Sequence, residues 1–366
     1  ERPTHHSLRP APPVLKPQVK SSGKFRVGIT PDFETEANGA LSPALREVLE
    51  PVAGVQYEIM PDTGGIGDPA VLDRYDGVIA YSYGFPASSF RGIGRLSVLA
   101  LWGVGFDRVD VAACTEAGVI LALTRDSVAR PVAEGIFALI FSLAKNLRAL
   151  DIQCRFGRWR QNPPTLMDLA ARTLGCIGFG GIAREMFRMA GSLGFERLLA
   201  YAPRATAAEA DAAGVQLASL ETVLRDSDFV TINCPLTDET RHMIGARELG
   251  LMKSTAYLIN TARGAVVDES ALADALRWKK IAGAGLDVFE TEPAAAGNPL
   301  FELDNVIVTP HLIARTEACI RNTSLSACRN VLAVASGTPP PYVANPEVLQ
   351  QPRVRARLED RRFQRK

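Results

Sequence analysis

The sequence predicts an α/β protein of two domains, each built on a doubly wound parallel sheet, and three observations carry that expectation. With 366 residues the chain is too long for one ordinary core and long enough for two. Short β-rich runs alternate with stretches of helical period along most of it, the signature of βαβ units. The alternation then restarts after a long apolar helix, which marks the second domain.

The first regular element is KFRVGITPD, residues 24–32, a β-rich run closed by a turn. PALREVLEPV follows with helical period, and VQYEIMP and DGVIAYS read as strands. RLSVLALWGVGFDRVD, residues 95–110, is an apolar strand with a glycine turn, and VDVAACTEAG a helix stopped by glycine. The long helix is expected from about Pro131 to Phe156, with proline in its first turn, where the missing amide hydrogen costs least. Beyond it TLGCIGFGG, RLLAYAP, DFVTINCP, AYLINTARG, GAGLDVF and NVIVTPH read as strands, separated by helices such as IAREMFRMAGSLG and ESALADALRWKK. No short-period repeat interrupts them.

Composition narrows the function. The chain is 47% hydrophobic and 22% charged with a net charge of +1, which suits a soluble globular protein and gives no sign of a nucleic-acid partner. Its six cysteines form no CxxC pair, so reduced thiols and a cytoplasmic location are expected. Two of the four histidines, His5 and His6, lie near the N-terminus, and no metal site is expected. GIFALIFSLA, residues 135–144, falls far short of the roughly 20 apolar residues that span a bilayer, and reads as a buried helix. Residues 1–23, rich in proline and basic groups, read as a flexible extension. The basic RVRARLEDRRFQRK at the other end reads as a solvated tail.

Between a strand and a helix stand Gly178, Gly180 and Gly181. Such a turn bends tightly at its first glycine, lets backbone approach a pyrophosphate at the second, and offers a helix N-terminus to the anion. Ala183 replaces the third glycine, where only close packing is required. The next strand ends in LLAYAPRAT, where an acid normally bonds the ribose hydroxyls and repels an added phosphate. Ala202 offers no such repulsion, and Arg204 can pair with a 2′-phosphate, so the stretch leans to NADP with NAD as the alternative. Three further strand ends carry chemistry. Arg263 in NTARG suits a carboxylate; LDVFETEP supplies Asp287 and Glu292; TPHL supplies His311, and a histidine held by a carboxylate is a natural proton donor near neutral pH.

In order and spacing, GVGFDRVD, VAEGIFALIFSLAKN, GFGGIA, NCPLTDETRHMI, LMKSTAYLINTARGAVVDESALADAL, GAGLDVFETEP and NVIVTPH resemble the D-isomer-specific 2-hydroxyacid dehydrogenases, which include phosphoglycerate and glyoxylate or hydroxypyruvate enzymes. The resemblance implies a Rossmann cofactor domain inserted into a flavodoxin-like substrate domain. The parts fall at 24–126 and 310–345 for substrate, 127–309 for the dinucleotide, with 346–366 as the basic tail. It implies that Arg263 binds the substrate carboxylate and carbonyl, that His311 exchanges the proton and that Glu292 orients it. The amides around Val104 and Gly105 would help to hold the carboxylate. Gly181 and Ile182 would cover the pyrophosphate, Cys234, Pro235, Thr240, Thr261 and Ala262 would line the dinucleotide, and Asp287 would bond the nicotinamide carboxamide. The partner implied is a small 2-keto or 2-hydroxy acid, in a homodimer without nucleic acid or membrane. Small residues, often glycine, usually follow the histidine in that family. Ile313 and Ala314 depart from this, so a reshaped space beside the nicotinamide is expected, and Trp102 is a candidate to narrow the pocket. The same resemblance extends to dinucleotide-sensing corepressors, a regulatory alternative that the presence of Arg263, Glu292 and His311 together disfavours.

Overall fold

The computed structural model of the protein describes residues 23–363. All of the expected N-terminal extension except Gly23 lies outside the described residues. Two compact units divide the chain: unit 1 takes it up to Trp102, then Val109–Leu123, then from Ser324 onward, and unit 2 takes Gly103–Arg108 and Thr124–Thr323.

Unit 1 contains β1 (Phe25–Ile29), β2 (Val55–Ile59), β3 (Gly77–Ala80), β4 (Val98–Leu101) and β5 (Ile120–Ala122). They pair in parallel in the order β2-β1-β3-β4-β5, the flavodoxin-like winding. Unit 2 contains β6 (Thr173–Ile177), β7 (Arg197–Tyr201), β8 (Gln216–Leu217), β9 (Phe229–Ile232), β10 (Tyr257–Asn260), β11 (Gly283–Leu286) and β12 (Val306–Val308). Its parallel order, β12-β11-β10-β9-β6-β7-β8, is the Rossmann order with one added strand, and the winding reverses between β6 and β9. The expected fold class, two doubly wound parallel sheets, is borne out. β6, β9 and β11 are buried along their whole length, as strands covered on both faces must be, whereas the edge strand β2 alternates.

Four helices matter below: α1 (Arg125–Ala144), α2 (Gly181–Ala190), α3 (Glu317–Ala335) and α4 (Pro352–Phe363). α1 corrects the expected long helix. It begins after Thr124, runs through Pro131, and stops before Asn146, whose φ of 47° is left-handed; a separate helix, Leu147–Arg155, follows. Proline was a poor marker of the start because a helix tolerates one lost amide donor when packing holds the rest, and α1 buries Val132, Ile136, Phe137, Leu139 and Ile140 in the core of unit 2. α1 is the one helix among the described residues that is long and apolar enough to cross a membrane, and half of that window is buried inside the protein.

The expected boundaries at residues 126 and 310 also shift. Residues 103–108 go with unit 2, where Asp107 is bonded to Arg263, and the return to unit 1 falls within α3, because His311, Leu312 and Ile313 are still bonded to Asp287. The expected solvated tail is instead a short 3-10 turn, Pro346–Gln350, followed by α4. Three of the basic residues that suggested solvent, Arg353, Arg357 and Arg361, recur every fourth position and so share one face. Arg353 donates to the Glu116 carbonyl, Arg357 donates to the carbonyls of Leu96 (3.1 Å) and Gly94 (2.9 Å) and to Ser97 Oγ (3.2 Å), and Arg361 lies over the Phe25 ring. Burial pulls the Arg361 guanidinium down to about 10, against the opposing charge of Asp76.

Arg357→Ala removes all three of its bonds, leaving the Leu96 carbonyl short of a partner. A loss of about 1.5 kcal/mol in unfolding free energy is expected from urea titration; an unchanged midpoint would show that α4 does not brace unit 1.

Candidate active site

Apart from Trp102, the candidate residues lie in unit 2; Val104 and Gly105 follow β4, and the others stand at or just beyond the carboxyl ends of the strands of unit 2, where doubly wound sheets bind ligands. At the reversal between β6 and β9 the chain turns at Gly178, with φ 106°. A Cβ there would stand 2.7 Å from the Asn233 carbonyl group and 2.8 Å from the Cys234 nitrogen, so no side chain fits. A Cβ on Gly180 or Gly181 would meet nothing within 4 Å. The first turn of α2, which starts at Gly181 and includes Ile182, therefore opens on free space with no side-chain cap, a cradle for an anion. Beneath the turn, Asn233 Nδ2 donates to Cys176 Sγ (3.0 Å) and Thr231 Oγ1 (3.1 Å), and burial pushes the Cys176 thiol up to about 12.

At the end of β7, Ala202 is half-buried and Arg204 exposed, in a turn closed by the Ala205 amide on the Ala202 carbonyl (3.0 Å). Arg204 has no hydrogen bond or ion pair among the described residues. Cys234 is half-buried, its thiol pushed up to about 11 by burial. Thr240 is used locally: its hydroxyl donates to the Pro235 carbonyl (2.7 Å) and accepts the Thr237 amide (2.8 Å). Thr261 Oγ1, just beyond β10, is buried without a partner among the described residues. An orphaned hydroxyl beyond β10 and an open glycine cradle beyond β6, with β9 between them, are what a dinucleotide would complete, and the residues fit one.

The turn after β10 is bracketed by buried Asn260, which accepts the Ala262 amide (3.1 Å) and donates to the Arg263 carbonyl (2.9 Å). Arg263 is seated on three sides. Its Nε donates to Asp107 Oδ1 at 2.7 Å, its Nη1 donates to the Ala262 carbonyl at 2.7 Å, and a Cβ on Gly105 would fall 1.3 Å from Nη2. Only glycine leaves room for that guanidinium. The amides of Val104 and Gly105 have no partner among the described residues and add two donors beside it.

Asp287, 3% exposed just beyond β11, builds the third part. Its carboxylate accepts the Thr309 hydroxyl (2.6 Å) and the amides of Leu312 (3.0 Å) and Ile313 (3.2 Å), while its carbonyl accepts the His311 amide (2.7 Å). These bonds fix His311 in the left-handed region, φ 56°. Burial pushes the Asp287 carboxyl up, and its hydrogen bonds offset this only in part. Placed so, His311 meets Glu292 with Nδ1 2.8 Å from Oε2, and the other Glu292 oxygen accepts the Phe289 amide (3.0 Å). Burial works to raise the Glu292 carboxyl, but the His311 hydrogen bond and charge, the Phe289 amide and the Arg263 charge outweigh it, and it stays below its usual value. A carboxylate there requires the proton on Nδ1 and leaves Nε2 of the neutral ring as an acceptor.

Ile313, expected to reshape the nicotinamide side, is half-buried against the core of unit 2. Its Cγ1 would be 2.5 Å from a Cβ on Gly135, so α1 supplies a notch for it. Trp102 is tied into unit 1, where its Nε1 donates to Ser324 Oγ (2.9 Å) and its ring meets Tyr81 and Phe33 edge-on. Sequence reasoning missed Asp107, Asn260, Thr309 and Gly135. Each stood inside a quoted motif, but a polar residue's partner across the fold leaves no local periodicity.

The profile of the D-isomer specific 2-hydroxyacid dehydrogenase NAD binding domain matches residues 137–312. A glyoxylate reductase of Thermococcus litoralis is 37% identical over 262 residues, covering 70% of this chain and 78% of that protein. Among solved structures, the TT0316 protein from Thermus thermophilus matches with a TM-score of 0.72 at 30% identity, over 87% of this chain and 99% of that one. TP0037 from Treponema pallidum, a D-lactate dehydrogenase, matches with a TM-score of 0.69 at 26% identity, over the same shares of each. The chain belongs to the D-isomer specific 2-hydroxyacid dehydrogenase family, as its motifs suggested. It is an oxidoreductase of small 2-hydroxy or 2-keto acids that uses a nicotinamide cofactor.

Two outcomes are expected. Gly135→Ala forces Ile313 out of its notch and with it the His311 loop; stability should fall by about 1–3 kcal/mol and turnover with it, and adding Ile313→Ala should restore both. Because the folded-state value of Glu292 is depressed, its contribution to stability is complete above the ordinary carboxylate range and is lost as pH falls through the folded value. The stability gap between wild type and Glu292→Gln, measured by denaturant titration, should therefore close on going from neutral pH to about pH 3; a gap that widens on acidification contradicts the assignment.

Proposed function

We propose that this chain interconverts a small 2-keto acid and its D-2-hydroxy acid, with NADP preferred over NAD and His311 exchanging the proton. The contact between His311 Nδ1 and Glu292 Oε2, close enough to Arg263 for its charge to act on Glu292, carries this reading.

The dinucleotide would be held by the amides at Gly181 and Ile182, by the Thr261 hydroxyl, and by Ala262, Cys234, Pro235 and Thr240 along the strand ends. Asp287, whose Oδ2 takes only the Ile313 amide among the described residues, is the acceptor for the carboxamide. When bound, the nicotinamide supplies or accepts the hydride. The chain does the rest. Arg263 and the free amides of Val104 and Gly105 hold the substrate carboxylate and stabilise charge on the reacting oxygen; His311 Nε2 gives that oxygen its proton in reduction and removes it in oxidation; Glu292 keeps Nδ1 protonated and the ring oriented. At the ribose, Ala202 presents no acid, and the unpaired guanidinium of Arg204 attracts a 2′-phosphate.

Six free thiols fit a reducing cytoplasm. The exposed apolar side chains Phe141, Leu147, Ile152, Phe156, Trp159 and Leu166, on neighbouring segments of unit 2, favour cover by a second copy in a homodimer.

The test is kcat/KM with NADPH and with NADH over glyoxylate, hydroxypyruvate, pyruvate and phenylpyruvate. NADPH should be preferred at least about tenfold, with Arg204→Ala abolishing the preference; a tenfold preference for NADH overturns the assignment of Arg204. His311→Ala should lose about 10²–10⁴-fold in kcat, and wild-type rates in that variant would sink the proton-transfer assignment.

A further inference from the structure

We propose that Asp107 is the positioning residue of Arg263, fixing the guanidinium through Nε so that its terminal nitrogens are presented to the carboxylate of the keto acid. The proposal rests on the reading of Arg263 given above and names what makes that arginine usable.

An arginine side chain has four rotatable bonds, and a guanidinium held only at its root sweeps through several ångströms. Here the charge-assisted bond from Nε to Asp107 Oδ1, 2.7 Å long, pins the inner edge of the fork, and the Ala262 carbonyl takes one Nη1 hydrogen at 2.7 Å. Carboxylates pair with arginine either through Nε and one terminal nitrogen or through both terminal nitrogens. With Nε occupied, the second mode remains: the free hydrogens on Nη1 and Nη2. Nη2 is the atom that lies against Gly105, where a Cβ would displace the guanidinium. The pattern G-x-D in GVGFD therefore performs two tasks from one turn: glycine makes room for the guanidinium, and the aspartate two residues on fixes its orientation. The two side chains are 27% and 24% exposed.

A carboxylate beside the binding site of another carboxylate also opposes substrate charge. The hydrogen bond and the charge therefore act in opposite directions on substrate affinity. Asparagine keeps an acceptor at the same place without the charge; alanine removes both.

The experiment compares wild type, Asp107→Asn and Asp107→Ala. Asp107→Ala should lose at least tenfold in kcat/KM for the best 2-keto acid, while Asp107→Asn stays within threefold, with KM equal to or below that of wild type. NADPH affinity, read by nicotinamide fluorescence, should stay within twofold in all three. The proposal is overturned if Asp107→Ala stays within twofold of wild type, if asparagine fails as badly as alanine, or if cofactor affinity falls in step with activity. Should wild type reduce no 2-keto acid, the proposed function fails, and calorimetric binding of oxalate decides the positioning separately. Wild-type binding that weakens at least tenfold in Asp107→Ala supports it; equal affinity, or no binding by wild type, overturns it.

Discussion

The carboxylate of Asp287 is the interaction on which the His311 loop of unit 2 depends. One buried side chain takes the Thr309 hydroxyl and the amides of Leu312 and Ile313, and its own carbonyl takes the His311 amide. A non-glycine residue in the left-handed region carries a local cost of about 1 kcal/mol or more, and bonds to a charged acceptor, each contributing about 1.5–3 kcal/mol, offset it. The result is an imidazole whose direction is set by backbone geometry before Glu292 touches it. Glu292 then fixes the tautomer, and the Phe289 amide fixes Glu292.

Arg263 follows the same logic with the opposite charge. Its seat is made of one carboxylate, one carbonyl and one missing side chain, and two free amides stand near it. The guanidinium with its two free amides, the imidazole and the open glycine cradle thus all come from turns at the ends of parallel strands. The sheet itself contributes rigidity. β6, β9 and β11 are buried throughout, and what varies is the short segment after each of them.

Much of this was legible in the sequence because it is local. The turn at Gly178, Gly180 and Gly181, the arginine of NTARG and the histidine of TPHL are set by residues within a few positions of each other, and alternating strands and helices give two doubly wound sheets. What escaped depends on long-range partners. Asp107 lies 156 residues from Arg263, and nothing in GVGFD says which cation it meets. Pro131 suggested a helix start because the rule for proline describes the chain locally, whereas burial of α1 decided the outcome. The basic C-terminal segment suggested solvent because its charges were counted rather than placed on a helix; at a spacing of four, Arg353, Arg357 and Arg361 turn to one side and find carbonyls and an aromatic ring. Ile313 suggested a changed nicotinamide pocket, and only the space at Gly135 shows where its side chain goes.

The most direct measurement is transfer of deuterium from NADPH dideuterated at C4 to glyoxylate, hydroxypyruvate or phenylpyruvate, followed by mass spectrometry for wild type and His311→Gln. Wild-type protein is expected to form the 2-hydroxy acid with one deuterium on the α-carbon, at a rate at least about 100-fold above the variant. Product without the label, or labelled product at equal rates from both proteins, would contradict a site in which the nicotinamide supplies the hydride and His311 the proton.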